Sequence, residues 1–281
     1  MNGGIYSIII GIVVIIIGII KMVVHKFEHN MLYHPNKLDL DYDFQLDNCQ
    51  ENCSLTEHTI YVGDTKINLL YFKNPNTPIH IIYSHGNCGN IANRISFFKK
   101  FGKLGSIIIY DYRGFGKSTG IPSEQGLYQD IKGIWSFLVE DNKVLPQNII
   151  LYGESLGCAV SAWLAHHLIK SGQLPRSLIL QSGFSNLINI AHDMLTFIPH
   201  FVFSLILTSK FDNLKIIKKI KNKIPILIAH SHDDGMMNMN HPNMLLRSNP
   251  YTQFYQLGGS HNSPEYDDAY LEKIKNLINK Q

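Results

Sequence analysis

The 281-residue chain carries 14 histidines and 22 aspartates and glutamates, so residue type alone singles out no site. Spacing does. Ser155 lies in Gly153-Glu154-Ser155-Leu156-Gly157. Small residues two positions either side of a serine permit a tight, strained strand-to-helix turn that holds the hydroxyl clear of the backbone. At the helix start, the dipole and free N–H groups favour a developing anion. The pattern alone arises by chance roughly 0.1 times in a chain of this length. Its setting, directly after the apolar run 148–152 and at the opening of a helical pattern, sets it apart from a glycine-rich turn with an idle serine.

A serine hydroxyl attacks a carbonyl only when a base removes its proton. His261 follows the last apolar run in Leu257-Gly258-Gly259-Ser260-His261-Asn262, a strand-end loop ahead of the final helix. His166, His167 and His192 fall inside helical patterns, where packed or solvated imidazole is the ordinary reading. The carboxylate that orients the base belongs in a loop between serine and histidine. Ser231-His232-Asp233-Asp234 supplies Asp234, preferred for its spacing from Ser231, with Asp233 as the alternative. The order Ser155, Asp234, His261 differs from that of chymotrypsin and subtilisin. Two N–H donors must face the oxyanion. Leu156, next to the nucleophile, is one; Asn87, in His85-Gly86-Asn87-Cys88-Gly89-Asn90, is the other.

These residues need a frame of strands and helices. Thr59–Val62 and Ile67–Phe72 read as strands around Gly63-Asp64. Beyond Pro75 and Pro78, short apolar runs at 79–84, 106–112, 148–152, 177–181, 226–230 and 252–257 alternate with helical patterns at 90–104, 123–141 and 156–170. Ser123 is a candidate cap, and a last helix is expected from Ser263-Pro264-Glu265. Strictly alternating elements predict an α/β fold, a mostly parallel twisted sheet with helices on both faces, and place ligand sites at the carboxyl ends of strands.

The segments SHGNCGN, YDYRGFGKSTGIPSEQGLYQD, LYGESLGCAV and GGSHN, in this order, resemble the α/β-hydrolase superfamily. Among its branches they are most similar to the membrane-anchored, abhydrolase-domain-containing serine hydrolases, which include protein depalmitoylases. KFEHNMLYHPNKL resembles the segment that follows the anchor in that branch, so the likeness runs from Phe27 to the C-terminus. The resemblance implies an α/β-hydrolase fold, hydrolysis of esters or thioesters without a cofactor or metal, Ser155 as nucleophile, Asp234 as acid, His261 as base, and Asn87 and Leu156 as oxyanion donors. Asp111, Arg113 and Gly116 match a motif that no step of acyl transfer requires. Three features depart from the family pattern: Cys88 replaces an alanine, Cys158 replaces a second glycine, and Asp234-Gly235-Met236-Met237 lacks a proline.

Hydrophobic residues make up 45% of the chain and the net charge is only +3. That composition excludes disorder and gives no electrostatic footprint for nucleic acid. Four cysteines exclude a disulfide-stapled miniprotein, and Cys49 and Cys53 are expected reduced. From Gly3 to Val24 the chain is almost wholly apolar, with a single Lys21. As a helix this stretch measures roughly 33 Å, close to the ~30 Å hydrocarbon core. It reads as a single-pass membrane anchor in preference to a cleaved signal peptide, for it lacks a basic leader and a small-x-small site. A buried core helix fits less well, because no face is polar. Lys21, His25 and Lys26 place the catalytic domain on the cytosolic side. The expected organisation is an anchor at 1–26, a connector at 27–55 and a catalytic domain at 56–281 with a lid insert around 187–223. In that insert, apolar residues 197–207 precede a basic run at 215–223, which suggests a lid shaping an acyl pocket, or a helix packed on the core. The resulting expectation is a membrane-bound serine esterase or thioesterase of acyl-lipid or S-acylated protein substrates. The alternative is a catalytically idle, membrane-tethered binding module. Oligomeric state is not legible.

Overall fold

The computed structural model describes residues 2–44 and 52–279. Cys49, and with it any pairing to Cys53, lies outside them. The chain opens with helix α1 (Asn2–Leu32). The first eight strands follow, with helices between them: β1 (His34–Pro35), β2 (Ser54–Val62), β3 (Thr65–Lys73), β4 (His80–Ser84), β5 (Cys88–Gly89), α2 (Ile95–Phe101), β6 (Ser106–Tyr110), α3 (Glu124–Ser136), β7 (Ile149–Glu154), α4 (Leu156–Lys170) and β8 (Ser177–Gln181). Three short helices, α5 (Leu187–Met194), α6 (His200–Ile206) and α7 (Asn213–Ile220), lead into β9 (Ile226–Ser231). The chain then continues through α8 (Asn240–Ser248), β10 (Thr252–Ser260), β11 (Ser263–Glu265) and α9 (Asp268–Ile278).

Among the described residues, nine strands form one sheet in the order β11-β10-β9-β8-β7-β4-β6-β3-β2. The pairs from β6 through β4, β7, β8 and β9 to β10 are parallel, and both edges close with antiparallel pairs. Alternate residues of the central strands feed two cores. Ile82, Ile108, Leu151 and Leu178 meet α3, α4 and α7 on one face, whereas Ile81, Ile107, Ile150 and Tyr152 meet α2 and α9 on the other. Burial on both faces is why these strands are continuous apolar runs.

Four elements differ in extent from the sequence expectation. The first hairpin strand begins at Ser54, because all nine residues of β2 pair with β3. The helix expected over 90–104 splits into a 3₁₀ turn, Ile91–Arg94, and α2. Asn90 and Asn93 cap that turn reciprocally, and α2 ends at Gly102. The helix over 123–141 is capped by Ser123, which accepts from Gly126 N at 3.1 Å, and it widens into a π turn over Phe137–Asp141. The last helix does not start at Ser263. Residues 263–265 turn back as β11 along β10, a close approach that Gly259, at φ +76°, admits, since a β-carbon there would lie 2.2 Å from Ser263 O. Helix α9 starts later, with the Asp267 side chain accepting from Tyr270 N at 2.8 Å.

The described residues just after α1 pack against the rest of the fold. Helix α1 runs through Leu32, past the expected end of the anchor, and β1 pairs in parallel with β5. Helix α1 is long and apolar enough to cross a membrane, with a mean hydropathy of 3.0 over an 18-residue window inside Tyr6–Leu32.

Candidate active site

Strand β7 delivers Ser155 to the carboxyl edge of the sheet. The residue takes φ +52° and ψ −114°, a conformation that L side chains rarely adopt. The turn is tight enough to demand both flanking glycines. A β-carbon on Gly153 would lie 2.4 Å from the Gly157 carbonyl oxygen, and one on Gly157 would lie 1.9 Å from the Ser84 oxygen. Ser155 N donates to Gln181 O at 2.9 Å, fixing the turn to β8.

His261 and Asn262 are the two-residue turn between β10 and β11, since Ser260 pairs with Ser263. Ser231, at the end of β9, donates its hydroxyl to Gly259 O and holds that hairpin in place. His261 Nε2 lies 3.1 Å from Ser155 Oγ, and its Nδ1 lies 2.7 Å from Asp234 Oδ2. All three side chains are buried. Asp234 Oδ1 accepts from Met236 N at 3.0 Å and Met237 N at 2.7 Å. Burial acts to raise the Asp234 pKa, but the bonds from His261 and Met237 N outweigh it and hold the carboxyl below its ordinary range. The loop lacking a proline is therefore fixed by these main-chain bonds. Asp233 is exposed and does not join the chain of hydrogen bonds.

The sheet also brings the loop after β4 to Ser155. A β-carbon on Gly86 would lie 3.6 Å from Ser155 Cβ, so the backbone of that loop lies against the serine. Asn87 O accepts from His34 N at 2.9 Å, which fixes the Asn87–Cys88 peptide through β1. Leu156 is the first residue of α4, so its N–H has no partner within the helix.

Several further residues pack around this centre, and sequence reading gave none of them a part in it. Glu154 receives the hydroxyl of Tyr83 and lies 3.5 Å from Arg94 Nε. Burial pushes its carboxyl up to about 7, while the neighbouring His261 acts in the opposite direction. Glu154, Arg94 and Asn262 line a cleft of about 680 Å³. His85 is fully buried, and its Nδ1 bonds to Gly86 O at 2.7 Å. Burial and the charge of Arg94 lower its pKa to about 3, so the imidazole is neutral. His230 Nε2 donates to Met237 O at 2.7 Å and supports the carboxylate loop from beneath. Only its place one residue before Ser231, at a strand end, could have marked it. Cys158 is buried against Gly153 O and Gln181 O, its thiol pKa raised by burial, as befits a packing residue. Cys88 is exposed.

A family model described as serine aminopeptidase, S33, matches residues 78–215. An uncharacterized protein of Acanthamoeba polyphaga mimivirus is 33% identical over 272 residues, covering 89% of this chain and 91% of that one. The human alpha/beta hydrolase domain-containing protein 17B is 29% identical over 211 residues, 74% of this chain and 68% of that one. The chain belongs to the α/β-hydrolase superfamily. Among solved structures, an esterase of Pyrococcus furiosus has the same α/β-hydrolase fold, with a TM-score of 0.66 at 14% identity, covering 88% of this chain and 96% of that one. Within this superfamily fold, Asp111, Arg113 and Gly116 brace the β6 end of the sheet. Asp111 Oδ1 accepts from Ile91 N at 2.9 Å, and a β-carbon on Gly116 would strike Asp111. Arg113 grips Asp130 through Nε at 3.0 Å and Nη2 at 2.7 Å.

Proposed function

We propose that the protein is a serine hydrolase of carboxylic esters or thioesters, held to a membrane by α1 and acting on acyl lipids or S-acylated proteins. The observation that carries the reading is the continuous path from Ser155 Oγ through His261 to Asp234, at 3.1 and 2.7 Å. With Nδ1–H donated to Asp234, Nε2 presents its lone pair to the serine hydroxyl. His261 would take that proton as Oγ attacks the acyl carbonyl. The N–H groups of Asn87 and Leu156 would hold the tetrahedral oxyanion. The imidazolium, steadied by Asp234, would then return the proton to the departing alkoxide or thiolate, leaving an acyl-serine. A water deprotonated by the same imidazole would release the acid and restore the enzyme. Every atom of this cycle is supplied by the chain, the acyl substrate and water.

The acyl specificity is supported by the apolar residues of the 187–223 insert and by its place beside α1, and the human relative's name supports the hydrolase class. Activity-based labelling tests the chemistry. Full-length protein in detergent micelles should react with a fluorophosphonate, and Ser155→Ala should abolish the label. A folded wild type that stays unlabelled, or a label that survives the substitution, would remove the nucleophile assignment. A panel of acyl thioesters and lipid esters with short and long chains then defines the substrate class. Equal rates for both lengths would count against an acyl pocket.

A further inference from the structure

Residues 3–24 account for the bilayer core, but α1 continues for two more turns and ends against the insert. Glu28 is buried there. Its carboxylate accepts from Thr208 N at 2.8 Å, Ser209 N at 2.7 Å and Thr208 Oγ1 at 3.0 Å, while His25 Nδ1 lies 2.9 Å from the same hydroxyl. Charge-assisted bonds to two consecutive main-chain N–H groups are a specific, directional joint. From the other side, Glu124 accepts from Lys210 N at 2.7 Å and Phe211 N at 2.9 Å. The segment 208–211 is thus clamped between the emerging helix and α3. Lys210 Nζ in turn donates to Ser204 O and Leu207 O, fixing the carboxyl end of α6 to the clamp.

Among the described residues, none covers the apolar outer face of the insert. Phe197 is 80% exposed, Phe201 65% and Leu205 64%, and Phe27 on α1 is 65% exposed. Phe201 and Leu205 are four residues apart, on one side of α6. Phe203, on the opposite side, is buried. Glu28 lies four residues beyond Val24, about 6 Å along the helix axis. That rise puts the joint at headgroup depth, within the ~5–10 Å over which interfacial helices bury their apolar faces.

We propose that this face is a membrane-docking surface: α6 and the preceding loop rest in the lipid interface from which α1 emerges, at a depth set by the Glu28 joint. The proposal rests on the reading of α1 as a membrane span. Lys26 on α1, exposed, lies at the same level, where lipid phosphates would meet it. Docking would bring the catalytic domain against the bilayer and present the insert, not the aqueous phase, to acyl chains.

The test uses the full chain in phosphatidylcholine vesicles, with and without lipids brominated near the carbonyl end of their acyl chains. Phe201→Trp adds a fluorophore to a chain whose two native tryptophans lie inside the domain, at 135 and 163. Alkaline extraction is run on the same samples. The expected result is a chain that resists extraction and an added emission at least halved by the brominated lipid. Resistance to extraction with unquenched emission overturns the docking surface and leaves the span standing. Release by alkali overturns the span and the docking together. Glu28→Ala separates the joint from the surface: quenching should fall while extraction resistance holds, and unchanged quenching would show that Glu28 does not set the depth.

Discussion

Ser155 occupies a backbone conformation that costs on the order of 1–3 kcal/mol. The fold over-determines it, since Gly153 and Gly157 admit the turn and the Gln181 carbonyl pins its N–H. The strained turn sets its hydroxyl 3.1 Å from His261 Nε2. On the proposed mechanism, Ser155→Ala should lower kcat by about 10⁴-fold or more while leaving the melting temperature near that of wild type. The choice between the two acids is equally testable. Asp234→Asn removes the acceptor that fixes the His261 tautomer, and should cost about 10⁴-fold in kcat. Asp233→Asn, on an exposed carboxyl, should stay within about twofold. Steady-state rates with one acyl ester settle both. Inverted losses would transfer the role to Asp233.

The strands place these residues, and most of them were legible for a simple reason. A strand buried on both faces is an uninterrupted apolar run, so 79–84, 148–152, 177–181 and 226–230 stand out, and the chemistry lies just past their ends. Ser123 was legible as a cap because its hydroxyl has a local job. What was hidden depends on tertiary partners. Ser263-Pro264-Glu265 carries a helix-start signature, yet the free edge of β10 captures it as β11 and makes the hairpin that carries His261. Glu154 and His85 matter through burial beside Ser155, and Glu28 through main-chain groups 180 residues away. No local pattern encodes such contacts. Arg113 and Asp130 lie between these cases: the resemblance marked the Arg113 motif, and the structure shows what it grips. Their forked pair ties the chain after β6 to α3, with Asp130 fully buried. Asp130→Asn leaves the guanidinium without its counter-charge, and should lower unfolding stability by about 3 kcal/mol. The urea midpoint should drop while activity per folded molecule stays unchanged. A midpoint equal to wild type would show that the clamp contributes nothing.

At the scale of the whole molecule, closing a sheet between two layers of helices buries ionisable groups whose charges have little solvent. They pull stability in opposite directions with pH. Burial lowers His85 to about 3 from its ordinary 6.5, so between these values the unfolded chain binds a proton that the folded one refuses. Its contribution is complete above pH 6.5 and is lost as pH falls toward 3. Asp111 behaves conversely. Burial raises it to about 7 from 3.8, so the folded chain keeps a proton that the unfolded one releases, and that contribution fades as pH rises through this window. Wild-type stability alone blends the two, but single substitutions separate them. The stability of wild type relative to His85→Gln should decline by about 1.4 kcal/mol per pH unit on acidification from 6.5. Relative to Asp111→Asn, wild type should lose a similar amount per unit as the pH is raised from about 4 to 7. Urea midpoints of the three proteins, measured in detergent across pH 4 to 8, give both slopes. Parallel curves would mean that these side chains meet enough water or compensating charge in the folded protein to titrate normally, and that the polar layer beneath the loops at the carboxyl edge of the sheet is wetter than its packing indicates.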